Sequence, residues 1–192
     1  LEVNGQTALS GTINQREAAA DEEADGGSWE TLGTVTVPAG GTLVAELSNA
    51  ANGYVIADAL RIVRVASDGG EDQGSGGDDP GQPDPGTGGE SSDPSPGTTS
   101  STVYLLDDQD PACETTGSWI FYPRAGFGGS LGFAEAGSGE KLARCTLSDL
   151  AEGDYRVTAT WVAHRNRASN APYRLEVNGQ TALSGTINQR EA

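Results

Sequence analysis

Apolar and polar residues alternate along this chain in short runs with a period of two. Residues 34–37 read TVTV, 42–47 read TLVAEL and 155–162 read YRVTATWV. Residues 54–65, 119–122 and 173–177 carry the same signal in shorter or more apolar form. A period of two puts alternate side chains on opposite faces of a strand, and these runs are rich in the β-branched and aromatic residues that strands favour. Gly, Asn and Asp punctuate them at the spacing of a sandwich or barrel. Continuous helical periodicity is largely missing. Residues 15–24 come nearest to it, and their Asp and Glu content reads better as a loop. The pattern predicts an all-β chain.

The alternation stops at residues 67–102, SDGGEDQGSGGDDPGQPDPGTGGESSDPSPGTTSST. This stretch has no Val, Ile, Leu, Ala, aromatic or basic residue, and it cannot bury apolar area to offset its ordering entropy. It reads as an acidic Gly/Pro/Ser/Thr linker, on the order of 110 Å long if drawn out at ~3.1 Å per residue. Its Ser/Thr/Pro-rich end resembles an O-glycosylated stalk.

A second departure from a simple chain is a repeat. Residues 1–18 read LEVNGQTALSGTINQREA, and residues 175–192 repeat them without one difference. Such identity points to a tandem array in which the second copy begins 174 residues after the first, Leu175 after Leu1. Solenoid repeats of about 20–50 residues are excluded by so long a period, and each unit is large enough to be a domain. Reordered, a bead runs from Val103 through Arg174 and continues with the sequence from Leu1 to Val65. The chain then divides into 1–66, the C-terminal half of one sandwich repeat; 67–102, the linker; and 103–192, the N-terminal part of the next. Neither half has strands enough for a sandwich alone, so a neighbouring copy is expected to complete each.

Composition narrows the function classes. The formal net charge is −17, from 28 acidic and 11 basic residues, which argues against nucleic-acid and anionic-lipid partners. No run approaches the ~20 apolar residues of a membrane span. Two cysteines, Cys113 and Cys145, suggest a structural disulfide in an extracellular setting, with two buried thiols as the alternative.

Four blocks, read in bead order, carry a family likeness: VYLLDDQDPACETTGSW at 103–119, HRNRASNAPYRLEVNG at 164–179, INQREA at 187–192 and 13–18, and NGYVIADALRIVRV at 52–65. Together they resemble the golvesin C-terminal-like domain family. The resemblance spans the bead and none of the linker. It implies a jelly-roll-like antiparallel β-sandwich, here circularly cut, of a kind found on secreted bacterial hydrolases and surface proteins. It also implies a binding or adhesive role without established catalytic residues. The cysteine pair and the tandem arrangement depart from that pattern.

Candidate chemistry is sparse. Asp107, Asp108 and Asp110 are spaced as oxygen ligands for calcium often are, and equally as aspartates that bond local backbone amides. Asp58, inside an apolar run, is expected to pair with Arg61 or Arg64. His164 has no nucleophile motif beside it, so Arg165, Asn166, Arg167 and Asn170 read as a hydrogen-bonded clamp at the sandwich edge. Arg165 and Arg167 are also placed to meet the acidic linker. Three Trp, five Tyr and three Phe serve as core, with Tyr122, Phe127 and Phe133 the candidates for a sugar platform.

These features lead to a structural expectation: a subunit of an extracellular filament, sheath or adhesive stalk whose partners are neighbouring copies packed head to tail. A repeated carbohydrate-binding module, adhering to glycans through many weak sites, is the alternative. No paired nucleophile and base, no metal triad and no phosphate loop suggests an enzyme, and no cofactor other than calcium is indicated.

Overall fold

The computed structural model describes residues 2–3, 6–7, 19, 21–65 and 101–187. Strands β1 (Glu2–Val3) and β2 (Gln6–Thr7) pair antiparallel. β3 (Glu22–Ala24), β4 (Gly27–Val37), β5 (Gly41–Ser48), β6 (Val55–Ala57) and β7 (Ala59–Val65) complete the first half. The second half supplies β8 (Val103–Asp107), β9 (Cys113–Thr116), β10 (Ile120–Pro123), β11 (Ser130–Ala134) and β12 (Leu142–Leu150). It ends with β13 (Gly153–Thr160), β14 (Ala171–Val177) and β15 (Gln180–Ile187). A 3-10 turn at Phe127–Gly129 is the one helical element among the described residues.

The expected all-β antiparallel sandwich is present. One five-stranded sheet has the order β15-β14-β5-β12-β9 and the other β3-β4-β13-β7-β8, while a three-stranded sheet, β10-β11-β6, closes one end. Alternation builds the core: Val35 and Val37 on β4, Leu43, Ala45 and Leu47 on β5, Tyr155 and Val157 on β13, and Leu175 on β14 are buried in one cluster. Thr34 and Thr36, the intervening residues of the TVTV run, face solvent. The run 54–65, read as one strand, is split at Asp58: β6 joins the small sheet and β7 the large one. β12, central to its sheet, shows no clear burial alternation, which explains why the pattern does not predict it.

The two halves interleave. β5 lies between β14 and β12, and β13 lies between β4 and β7. Each half is therefore completed by the other half of this same chain, where the sequence pattern led us to expect a neighbouring copy. The physical reason is at the β7–β8 seam, where Val63 pairs with Val103 and the Arg64 amide donates to the Thr102 carbonyl at 2.9 Å. The chain leaves at Val65 and returns beside the same point, so the acidic segment has no distance to span. Most of that segment lies outside the described residues, and with it the expected contacts from Arg165 and Arg167.

Candidate functional site

The repeated sequence builds one edge of the sandwich. Val177 pairs with Gln180 across Asn178 and Gly179, whose φ values of 51° and 75° suit a two-residue hairpin turn. The second copy docks on β5 with Leu175 opposite Ala45 and Val177 opposite Leu43. Asn178 fixes this register: its Oδ1 accepts from the Thr42 amide at 2.9 Å, and its own amide donates to the Thr42 carbonyl at 2.9 Å. Gly33, at a bulge in β4, makes room for Leu183. A Cβ at Gly33 would lie 2.3 Å from the Leu183 Cδ1, and the φ of 152° there also suits glycine.

The first copy pairs in the same local register. Glu2 opposes Thr7 and Val3 opposes Gln6, as Glu176 opposes Thr181 and Val177 opposes Gln180. Its setting differs, because β1 and β2 form a two-stranded sheet of their own. One sandwich offers one place for this sequence, and the second copy occupies it.

Polar groups knit the halves together. Across the outer face of the first sheet, Glu46 receives Arg174 at 2.7 Å on one side and Arg144 on the other, and Arg174 also reaches Glu176 at 3.0 Å. The Glu46 hydrogen bond is the main reason the Arg144 guanidinium is held above its ordinary range. Asn49 is fully buried and has its whole bonding capacity filled. Its Nδ2 donates to the Glu135 carbonyl and to Glu140 Oε1, both at 3.0 Å, and its Oδ1 accepts from the Gly139 and Lys141 amides, both at 3.1 Å. That bond to Asn49, helped by backbone donors, pulls the Glu140 carboxyl down to about 2. Nothing in the local pattern marks Asn49, since its partners are about 90 residues away.

The block around residues 164–170 meets the loop at 52–54. Asn170 Oδ1 accepts from the Asn52 amide at 2.8 Å, the Tyr54 amide donates to the Asn166 carbonyl at 3.2 Å, and Ala168 donates to the Tyr54 carbonyl at 2.7 Å. Asn166 Oδ1 accepts from Arg167 at 3.1 Å and lies 2.8 Å from His164 Nδ1, while Arg165 is exposed. Burial draws the Arg167 guanidinium below its usual value.

The aspartates of the turn after β8 serve local structure. Asp107 Oδ1 accepts from the Asp108 amide at 3.0 Å, Asp110 Oδ1 from the Ala112 amide at 2.8 Å, and Asp108 Oδ1 from the Ser130 hydroxyl at 2.6 Å. Among the described residues no three His, Cys, Asp or Glu side chains are grouped to hold a metal ion. Asp58 pairs with neither Arg61 nor Arg64. Arg61 goes to Glu22 at 3.1 Å and Asp25 at 2.6 Å, and Arg64 to the Glu152 carbonyl. Asp58 Oδ1 accepts instead from the Phe127 amide at 2.8 Å, across Gly126, where a Cβ would lie 2.6 Å from that oxygen. Burial, with smaller contributions from Asp107 and Asp108, pushes the Asp58 carboxyl up to about 7, and burial likewise raises Asp107.

Asp58 floors a cleft between the sheets, walled by Leu47, Leu106, Phe121 and the Cys113–Cys145 disulfide. Its volume is about 40 Å³. On the edge strand β10, Phe121 lines this cleft and is 44% exposed, while Ile120 and Tyr122, on the opposite face of the strand, are 58% and 56% exposed. Phe127 and Phe133 are half-buried, packing on Trp29 and Tyr54 with ring centroids 5.2 and 5.8 Å apart. Of the three aromatics singled out from sequence, Tyr122 is the exposed one, and Phe121 joins it.

No family model, curated protein or solved structure matches the chain.

Proposed function

We propose that the protein is a structural subunit of a secreted tandem-repeat polymer, an extracellular filament, sheath or adhesive stalk of β-sandwich beads packed head to tail. The observation that carries this reading is the repeated sequence itself. Both copies pair in one hairpin register, and one copy forms the last strands of a sandwich. A unit that recurs unchanged in sequence is what an array of beads needs. The disulfide suits an oxidising, extracellular location. The family resemblance to golvesin C-terminal-like domains points the same way.

The natural polypeptide, isolated under native salt, should have a mass many times 19.6 kDa and give filaments by electron microscopy. A short polypeptide that stays dispersed at native concentration would overturn the reading.

The exposed Tyr122, with Ile120 on the same face of β10, favours a second reading, a repeated carbohydrate-binding module that adheres to glycans. An exposed aromatic face is suited to stacking on sugar rings. In that case Tyr122→Ala lowers glycan-array signal without changing the melting temperature. Silence of the unaltered protein across the array would remove it.

A further inference from the structure

The sandwich is a zipper of two pieces of chain. Residues 21–65 and 101–187 contribute strands alternately, and the pairings β4–β13, β5–β12, β5–β14, β6–β11, β7–β8 and β7–β13 all cross from one piece to the other. Within the first piece, β5, β6 and β7 have no strand partner among the described residues. No covalent bond other than the backbone joins the two, because the disulfide lies wholly within the second. The connection between them is residues 66–100, which carry no aromatic or large aliphatic side chain that a sandwich must bury.

From this geometry we infer that the occupant of the zipper is interchangeable between molecules. Residues 21–65 of one copy complete residues 101–187 of a second copy, in a strand-swapped assembly that uses the acidic segment as its hinge. The contacts in the swapped bead are those of the closed bead: Val63 on Val103, Glu46 between Arg144 and Arg174, and Asn49 under the 135–141 loop. Only the connection differs. An open hinge of this length reaches a neighbour with ease, since drawn out it covers on the order of 100 Å. Swapping in a ring gives dimers, and swapping without closure gives filaments. Because the strands are interleaved, changing partners means unzipping both sheets. The choice is made as the chain folds and then persists.

The inference deepens the polymer reading by naming the joint between copies, and it rests on that reading for its setting. Competition sets its concentration dependence. A Gly/Pro/Ser-rich tether of this length corresponds to an effective concentration of about 1–10 mM, so dilute chains close on themselves and concentrated ones exchange.

The test places cysteines on both sides of the seam, Val63→Cys with Val103→Cys, in the full chain; the native cysteines are bonded to each other. Chains refolded at ~1 μM should oxidise to monomers on a non-reducing denaturing gel, whereas chains refolded at ~1 mM should give a ladder with interchain bonds at least tenfold more abundant. Should that variant fail to fold, tagged and untagged unaltered chains refolded together at ~1 mM should co-purify, and the same chains mixed after folding should not. Monomer alone at every concentration, or co-purification that ignores how the chains were folded, overturns the inference. Filaments whose seam cysteines are bonded only within chains would remove this joint and leave the polymer standing. Interchain bonds without filaments would do the reverse.

Discussion

At the residue scale, Asp58 and Asn49 show how much a buried polar group depends on its neighbours. The Asp58 carboxyl, ordinarily near 3.8, titrates at about 7 in the folded chain, so the native state holds its proton more tightly than the unfolded state does. A raised carboxyl contributes stability below its unfolded value and loses it as the pH climbs toward the folded one. Stability should therefore decline between about pH 4 and pH 7 by on the order of 3–4 kcal/mol from this group. Asp58→Asn keeps an oxygen to accept from the Phe127 amide but has no proton to lose. Its melting temperature, followed from pH 4.5 to 8, should fall less than that of the unaltered protein. Parallel curves would show that Asp58 is ionised throughout. Asn49→Ala removes the acceptor of the Gly139 and Lys141 amides in a partly exposed loop, a loss of about 1–3 kcal/mol in chemical denaturation. The Glu140 carboxyl should then titrate higher, since its largest favourable partner is gone.

At the element scale, β9 has little to hold it besides one strand partner and the disulfide. It sits at a sheet edge, pairs with β12 alone and is mostly exposed. Burial contributes little, and the covalent bond between its Cys113 and the directly opposed Cys145 fixes it in place. Closing a loop over a separation of 32 residues stabilises the fold by roughly 3–4 kcal/mol in the chain-entropy account. Replacing both cysteines with Ala should lower denaturant stability by that amount or less, and hydrogen exchange should rise first in β9. Uniform exchange across both sheets would mean that the bond supports the whole fold instead. The strands that alternation marks out, β4, β5, β13 and β14, are those with one face on the core. β12 escapes it because both of its faces are half-covered, and β11 because it is short and carries a glycine.

At the scale of the whole molecule, the acidic segment is a loop whose ends meet at Arg64 and Thr102. A single proteolytic cut within residues 67–100 of the folded chain should leave both pieces co-eluting as one particle. They should separate only in denaturant, because six strand pairings bridge them. Separation under native conditions would contradict the interleaved sheets.

The sequence by itself determined the strand content, the position of the acidic segment and the identity of the two repeated copies. Each of these is a local property, set by alternation, composition or direct matching. It also supplied the disulfide partners, since two cysteines allow one pairing. Only the tertiary structure decided which pieces complete the sandwich, that Asp58 turns away from Arg61 toward a backbone amide, and that Asn49 organises a loop about 90 residues distant. Those outcomes depend on long-range pairing. A strand's alternation fixes which face is buried, and its partners are fixed only when all the strands compete for the same core.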